Sequence, residues 1–448
     1  MDYQESLDWL VELETFGVRL GLQRIRRLME LLGNPQDTYH TIHVTGTNGK
    51  GSVSAMLAGV LAASGIHAGF YSSPHLVSYT ERIQIDGQPV SEKEFAAGLT
   101  EIRRFVEQML AEGEECPTQF EVLTALGFYL FAQHHVEYAV IEVGLGGLLD
   151  STNVIMPDIS VITNVTFEHA HILGGTIESI ADNKAGIIKE GVPVVTAATG
   201  MPLEIIRQRA GEKNADLFVA GPDFRMEFSG CDGRMQQVAF TSSLLGIAQE
   251  PYQLHLLGTY QVNNAAVSVM TAWLLHNGGE ERITGQAIHE ALRLVSWPAR
   301  FERLDIGGQA VIVDGAHNPD GMRGLRASLD EIFPSQQRVL LLGILRDKDI
   351  ETMLRTLLRP NDTVVVTTPQ SARAELPETI ARQAAPLCQH VEAFADNGEA
   401  LARAIELADR EKLLVLAGSL YLVGGLRQRL IERQQAAGAP EGGKAVEQ

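Results

Sequence analysis

The sequence is poor in cysteine, in cationic surplus and in long apolar runs. Its three cysteines, Cys116, Cys231 and Cys388, are far apart and match no metal-binding or disulfide spacing. A reducing, cytoplasmic setting is the expectation, and a cysteine nucleophile is disfavoured. Lysine and arginine number 36 against 56 aspartates and glutamates, a formal charge of −20. Binding to nucleic acid or to an anionic membrane runs on a cationic surplus, so neither partner is expected. No stretch approaches the 18 or more apolar residues of a membrane span. The start, Met1-Asp2-Tyr3-Gln4-Glu5, is acidic and amphipathic and does not read as a signal peptide.

What is present is an ordinary globular composition, 45% hydrophobic and 21% charged, over 448 residues. That length suits two or three domains. Apolar β-branched runs alternate with helical periodicity, as in an α/β protein with a largely parallel sheet. Strands are predicted at 39–45, 66–72, 136–143 and 158–165, with helices at 50–64 and 260–277. Between 223 and 257 shorter alternating segments with Gly-rich turns predict a small antiparallel subsheet. A helical stretch stops at Ser296-Trp297-Pro298, which predicts a domain boundary. Strands at 309–314, 338–343, 363–367 and 413–417 then predict a smaller α/β domain. The reading is a P-loop ATPase-type domain over 1–296, a Rossmann-like domain over 297–433 and a flexible tail over 434–448.

Thr45-Gly46-Thr47-Asn48-Gly49-Lys50-Gly51-Ser52 lies where a strand ends and a helix begins. Glycines there let successive N–H groups form an anion cradle, the helix N-terminus adds partial positive charge and Lys50 a full one. The spacing is not the standard G-x-x-x-x-G-K-[ST], because Gly51 separates Lys50 from Ser52. Nucleotide phosphate binding is the reading of Thr47 to Ser52. Glu142 closes the 136–143 strand ahead of Gly144-Leu145-Gly146-Gly147, where a carboxylate suits Mg²⁺. Asp150 and Asn153 follow in the same turn. His169, just beyond the 158–165 strand, and Lys184, among apolar neighbours, are weaker candidates taken singly. Asp314-Gly315-Ala316-His317-Asn318 ends the first predicted strand of the second domain, and Arg300 precedes it in the expected linker.

Taken together these segments resemble the folylpolyglutamate synthase family, within the Mur-ligase-like ATP-dependent amide-forming ligases. The matching pieces are GTNGKGS, SSPHLVSYTERI, QFEVLTA, EVGLGG with DSTNVI, NKAGIIK, GTYQVNNAA, WPARFE, DGAHNPDG, GILRDKD and GSLYL, in family order from residue 46 to about 422. The resemblance implies ATP-dependent addition of L-glutamate to the γ-carboxylate of a folate through an acyl phosphate, by a monomer. It implies that Gly49, Lys50, Gly51 and Ser52 hold ATP, with Asn264, Arg300 and Asp314 completing that site. Ser73, Glu142 and His169 would bind magnesium, with two ions in all, and Lys184 would be carried as the carbamate N6-carboxylysine. Arg82 would meet an anionic substrate, Thr118, Gln119, Phe120 and Glu121 the pterin, and His317 and Ser419 the incoming glutamate. Lys50, Lys184, Asp314 and His317 would be catalytic. Leu148 stands where many bifunctional members have arginine, a departure that counts against dihydrofolate synthesis from dihydropteroate; because the same machinery serves it, that reaction is kept as the alternative or second activity. A cell-wall Mur ligase is less expected, since no nucleotide-sugar domain precedes the loop. A small-molecule kinase or a nucleotide switch is the rival from another class.

Overall fold

The computed structural model describes residues 1–14, 17, 19–168, 170–409 and 411–438. The chain forms two compact units. The first comprises Met1–Cys231, Met235–His255 and Tyr260–Ser296; the second comprises Asp232–Arg234, Leu256–Thr259 and Trp297 onward.

The first unit is built on a sheet of eight strands, β1 (His40–Thr45), β2 (Ala68–Tyr71), β3 (Ile83–Ile85), β4 (Gln88–Pro89), β5 (Tyr138–Glu142), β6 (Ile159–Ile162), β7 (Val194–Thr196) and β8 (Leu217–Val219). Their order is β4-β3-β2-β5-β1-β6-β7-β8. From β2 to β8 every pairing is parallel, and β3 and β4 add an antiparallel edge. The central strands β5 and β6 are buried along their whole length, and β1 is buried apart from His40. Continuous Val/Ile-rich runs are what a sheet covered on both faces requires. A helix over Lys50–Ala63 follows β1 and is buried along one side and much of the other, from Gly51 to Leu57 and at Val60 and Leu61. It packs on β5 and on the helix Gly285–Leu294. A second sheet of three antiparallel strands, β9 (Arg225–Cys231), β10 (Gln236–Ser242) and β11 (Ile247–Leu254), lies where the short alternating segments are.

The second unit has six strands: β12 (Glu302–Ile306), β13 (Gln309–Val313), β14 (Arg338–Leu342), β15 (Thr363–Val366), β16 (His390–Ala393) and β17 (Leu413–Ala417). Their order is β12-β13-β17-β14-β15-β16, parallel except for the β12–β13 hairpin. Both sheets belong to the α/β class read from the sequence. A final helix runs from Leu420 to Gly438, so the stretch 434–438, expected to be tail, is helical; 439–448 lies outside the described residues. Among the described residues no helix is long and apolar enough to cross a membrane.

Candidate active site

Ligands of open α/β sheets gather at the carboxyl ends of strands where the strand order reverses. In the first unit β1 is such a point: β2, next in sequence, lies beyond β5, and β6 lies on the other side. The turn after β1 is locked by backbone demands. Gly46 and Gly49 have φ of 153° and 87°, in the region where only glycine is at ease. A Cβ on Gly46 would collide with the Thr163 side chain, and one on Gly49 with the Asn264 carboxamide. The loop after β6 grips this turn: Asn164 Oδ1 accepts from Asn48 N–H at 2.8 Å, and Thr163 Oγ1 donates to the Asn48 carbonyl at 2.6 Å. From the helix over Thr259–Asn277, Asn264 Nδ2 donates to Gln261 Oε1 (2.8 Å), and Gln261 Nε2 donates to Ser52 Oγ (3.1 Å). Asn264 and the loop at 46–52 therefore meet across more than 200 residues of sequence.

The pocket at this point is lined by Gly46, Thr47, Lys50, Gly144, Leu145, Gly146, Glu168, Leu173 and Lys184. Two lysines converge on one oxygen. Lys50 Nζ donates to the carbonyls of Gly46 (3.1 Å) and Thr47 (3.2 Å), and Lys184 Nζ donates to the same Gly46 carbonyl at 2.7 Å. Lys184 is 5% exposed. Burial, reinforced by the charge of Lys50, pushes its ammonium down to about 7, with Glu168 and Asp150 opposing. A buried lysine near neutrality is a nucleophilic amine at physiological pH.

Glu142 ends β5 and is 4% exposed; its Oε2 accepts the Ser73 backbone N–H at 3.4 Å. These two of the expected metal ligands are thus adjacent. A buried carboxylate beside a serine is a hard-oxygen environment of the kind magnesium takes. His169 lies outside the described residues, and among the described residues no cluster of three His, Cys, Asp or Glu side chains is poised for a metal. Next to Ser73, Arg82 Nε donates to His75 Nδ1 (2.9 Å), and its guanidinium lies 5.4 Å from the Tyr79 ring centre. His75 accepts as a neutral ring, in keeping with burial, aided by Arg82, holding it down to about 4.

The segment expected to touch the pterin is partly committed elsewhere. Thr118 is the N-cap of the helix Gln119–Gln133, and Glu121 completes a capping box with it. Glu121 is 1% exposed and also takes Arg24 Nε at 3.0 Å. Gln119 and Phe120 are half-buried; Gln119 Nε2 donates to the Leu10 carbonyl at 3.0 Å, and the Phe120 ring packs on the core beside Gly144.

In the second unit Asp314, at the end of β13, spends both oxygens on backbone: Oδ2 accepts from Phe301 N–H and Oδ1 from Ala316 N–H, each at 2.7 Å. It therefore fixes the turn carrying Arg300, which belongs to this unit's own structure. Ala299 and Phe301 flank Arg300 with φ of 55° and 49°, a conformation non-glycine residues adopt only when the surroundings impose it. Arg300 NH1 donates to the Ala299 carbonyl at 3.0 Å and sits where a Cβ on Gly315 would be. His317 Nδ1 donates to the Gly315 carbonyl at 2.8 Å. Gly418 N–H reaches Ala316 O (3.0 Å), drawing buried Ser419 to the same turn. Arg300, Asp314, His317 and Ser419 form one group at the carboxyl ends of β13 and β17. Thr163, Asn164, Gln261 and Glu168 also belong to the site: a Thr-Asn pair just after β6 is a sequence signal for the first two, whereas nothing in the sequence pattern marks Gln261 or Glu168.

Two domain families cover most of the chain: the Mur ligase middle domain matches 44–272 and the Mur ligase glutamate ligase domain matches 299–420. A folylpolyglutamate synthase of Lacticaseibacillus casei is 36% identical, over 96% of this chain and 99% of its own. The chain belongs to the folylpolyglutamate synthase family. A dihydrofolate synthase/folylpolyglutamate synthase of Bacillus subtilis is another member, 33% identical over 96% of this chain and 99% of its own. The family's fold is present too: the Mycobacterium tuberculosis folylpolyglutamate synthase crystallised with ADP and AMPPCP superposes with a TM-score of 0.85 at 31% identity, covering 96% of this chain and 99% of that one.

Proposed function

We propose that this chain is an ATP-dependent ligase that joins L-glutamate to the γ-carboxylate of a folate. The single observation that supports it most is the glycine turn after β1 with Lys50 and Lys184 converging on Gly46, in a chain that covers 99% of a family member's length. A carboxylate is a poor electrophile. The γ-carboxylate attacks the terminal phosphorus of ATP, the bond to ADP breaks, and an acyl phosphate forms. The amine of glutamate then attacks the acyl carbon, and phosphate leaves with the electron pair of the broken C–O bond. Lys50 and the amides of residues 47–52 stabilise charge on the phosphoryl group, the main demand of such transfers. Arg82, held by His75 and Tyr79, presents a guanidinium fork to a substrate carboxylate. Phe120 and Gln119 face the pterin. Arg300 and Asp314 belong to the nucleotide site, and His317 and Ser419 to that of the incoming glutamate.

Magnesium fits the pair Ser73 and Glu142, with His169 and Lys184 as further ligands and two ions in all. When bound it supplies charge neutralisation on phosphate oxygens. Lys184 carries a carbamate in this proposal: the neutral amine adds to CO₂ and releases a proton, turning a buried cation into a carboxylate analogue. Free amine rises as pH passes through about 7, so carbamate formation increases on the alkaline side. Enzyme stripped of CO₂ is expected to lose activity and to regain it with bicarbonate, more completely at higher pH. Lys184→Ala is expected to be nearly inactive, with partial rescue by short carboxylates. Wild-type rates in that variant without rescue would remove the assignment.

The test of the function is a product assay with ATP and glutamate, offering a tetrahydrofolate and dihydropteroate separately. Folate- and glutamate-dependent release of ADP with a glutamyl-extended product is the expected result. Phosphate transferred to a stable product without glutamate would instead mark a kinase. Turnover of dihydropteroate would add the second activity that the B. subtilis relative's name carries, despite Leu148.

A further inference from the structure

His43 lies in the middle of β1, wholly buried. Its Nε2 is 2.9 Å from Thr152 Oγ1. The Thr152 hydroxyl donates to Asp150 Oδ1 at 2.6 Å. A hydroxyl has one proton, so it must accept from the ring, and His43 is the Nε2–H tautomer. The second oxygen of Asp150 accepts the Leu145 N–H at 2.8 Å. Leu145 lines the pocket that holds Lys50 and Lys184. On the other side of the same turn, Thr45 Oγ1 donates to Gly146 O at 2.6 Å. The links from the sheet interior to the pocket wall thus each have a defined donor and acceptor.

This arrangement is not what stability alone selects. His43 Nδ1 is buried with no hydrogen-bond partner among the described residues, a cost that an apolar side chain of similar size would not carry. Burial, with the charge of Lys189, holds the ring down to about 3, so it is neutral at any working pH and does not shuttle protons.

We infer that His43 is a positioning residue of the ligase: through Thr152 and Asp150 it fixes the Leu145 amide and so the wall of the phosphate pocket. The inference rests on assigning that pocket to the phosphates of ATP, which Lys50→Ala tests separately.

The experiment compares His43→Leu, His43→Gln and Thr152→Val in steady-state kinetics and thermal melting. His43→Leu is expected to melt at or above the wild-type temperature and to lose about tenfold to a hundredfold in kcat, the usual penalty of a small misplacement. The KM for glutamate should be unchanged. His43→Gln, whose terminal amide can donate to Thr152, should recover most of the rate, and Thr152→Val should lose as much as His43→Leu. A wild-type kcat in either His43→Leu or Thr152→Val overturns the inference, as does a glutamine variant no better than leucine. If His43→Leu unfolds, Thr152→Val decides: loss of kcat with a retained melting temperature supports the chain, and a wild-type kcat refutes it. A wild-type kcat in Lys50→Ala strikes the pocket assignment, whereas one in His43→Leu strikes only this inference.

Discussion

Replacing Lys50 by alanine is expected to lower kcat by about a thousandfold or more, at the upper end of what one preorganised electrostatic donor contributes. The melting temperature should stay near that of the parent. Both halves of this expectation come from the same contacts. Among the described residues Lys50 Nζ hydrogen-bonds to the carbonyls of its own loop, Gly46 and Thr47, so its removal opens no core cavity and takes no partner from a buried carboxylate there. The glycine turn itself is held by Thr163, Asn164 and Asn264, which remain. With phosphate present the ammonium has a far better partner than a carbonyl, and that partner gains negative charge as the phosphoryl group moves. Coupled assays of ADP release and of glutamylated product, alongside a melting curve, separate the two effects. A variant that still ligates at the parental rate would mean that the turn after β1 does not serve ATP.

The second large effect concerns stability. Arg338, at the start of β14, is 2% exposed, and its guanidinium makes a two-pronged contact with Asp362, itself 3% exposed: Nε to Oδ1 at 3.0 Å and NH2 to Oδ2 at 2.9 Å. Asp362 also takes the Arg359 backbone N–H at 2.7 Å. Asp330 stands 3.5 Å from Arg338 NH1 and is itself bonded by Arg326 and Arg359. Arg338→Met removes the counter-charge and leaves a carboxylate in the interior, for which about 3–5 kcal/mol of destabilisation is expected. Urea denaturation followed by far-UV circular dichroism measures it. The double variant Arg338→Met with Asp362→Leu should recover most of the loss, because a buried ion pair is worth little more than well-packed apolar groups. A double variant as unstable as the single one would show that the pair holds the β14–β15 pairing by geometry that no apolar pair replaces.

How far the sequence could be read depended on whether a signal was local. The strands β5, β6, β14 and β17 are mostly apolar runs and could be placed within two or three residues, because burial on both faces favours Val, Ile and Leu; β1, HTIHVT, is instead marked by its β-branched residues and the glycine turn that follows it. β12, with the sequence ERLDI and every residue half-buried, lies at a sheet edge and pairs antiparallel with β13. Nothing in its pattern distinguishes it from a polar loop. β16, HVEA, reads as a polar loop in the same way, and β8, although Leu-Phe-Val, is an edge strand of three residues and too short to show a pattern. In the site, glycines flanking Lys50 and a glutamate closing β5 announce themselves, since each residue type is costly or unusual where it stands. The packing of Asn264 on Gly49 is silent in sequence, because the two meet only through the fold. His43 is silent for the opposite reason: one histidine among isoleucine and valine reads as core. Asp314 was legible as important, but not for what its oxygens hold, since a backbone amide has no letter in the sequence.

The make-up of the second unit bears on how the gene can be divided. Short stretches at 232–234 and 256–259 belong to it although they precede Ser296 by dozens of residues. The Gly233 carbonyl receives Arg303 NH1 at 2.8 Å, and Thr259 N–H meets Ser328 Oγ at 2.9 Å. A fragment beginning at Trp297 would therefore be born without pieces of its own body. Shuffling or truncation at that proline-marked seam yields an incomplete product, and a fusion partner inserted there would sit inside a woven path instead of between two beads.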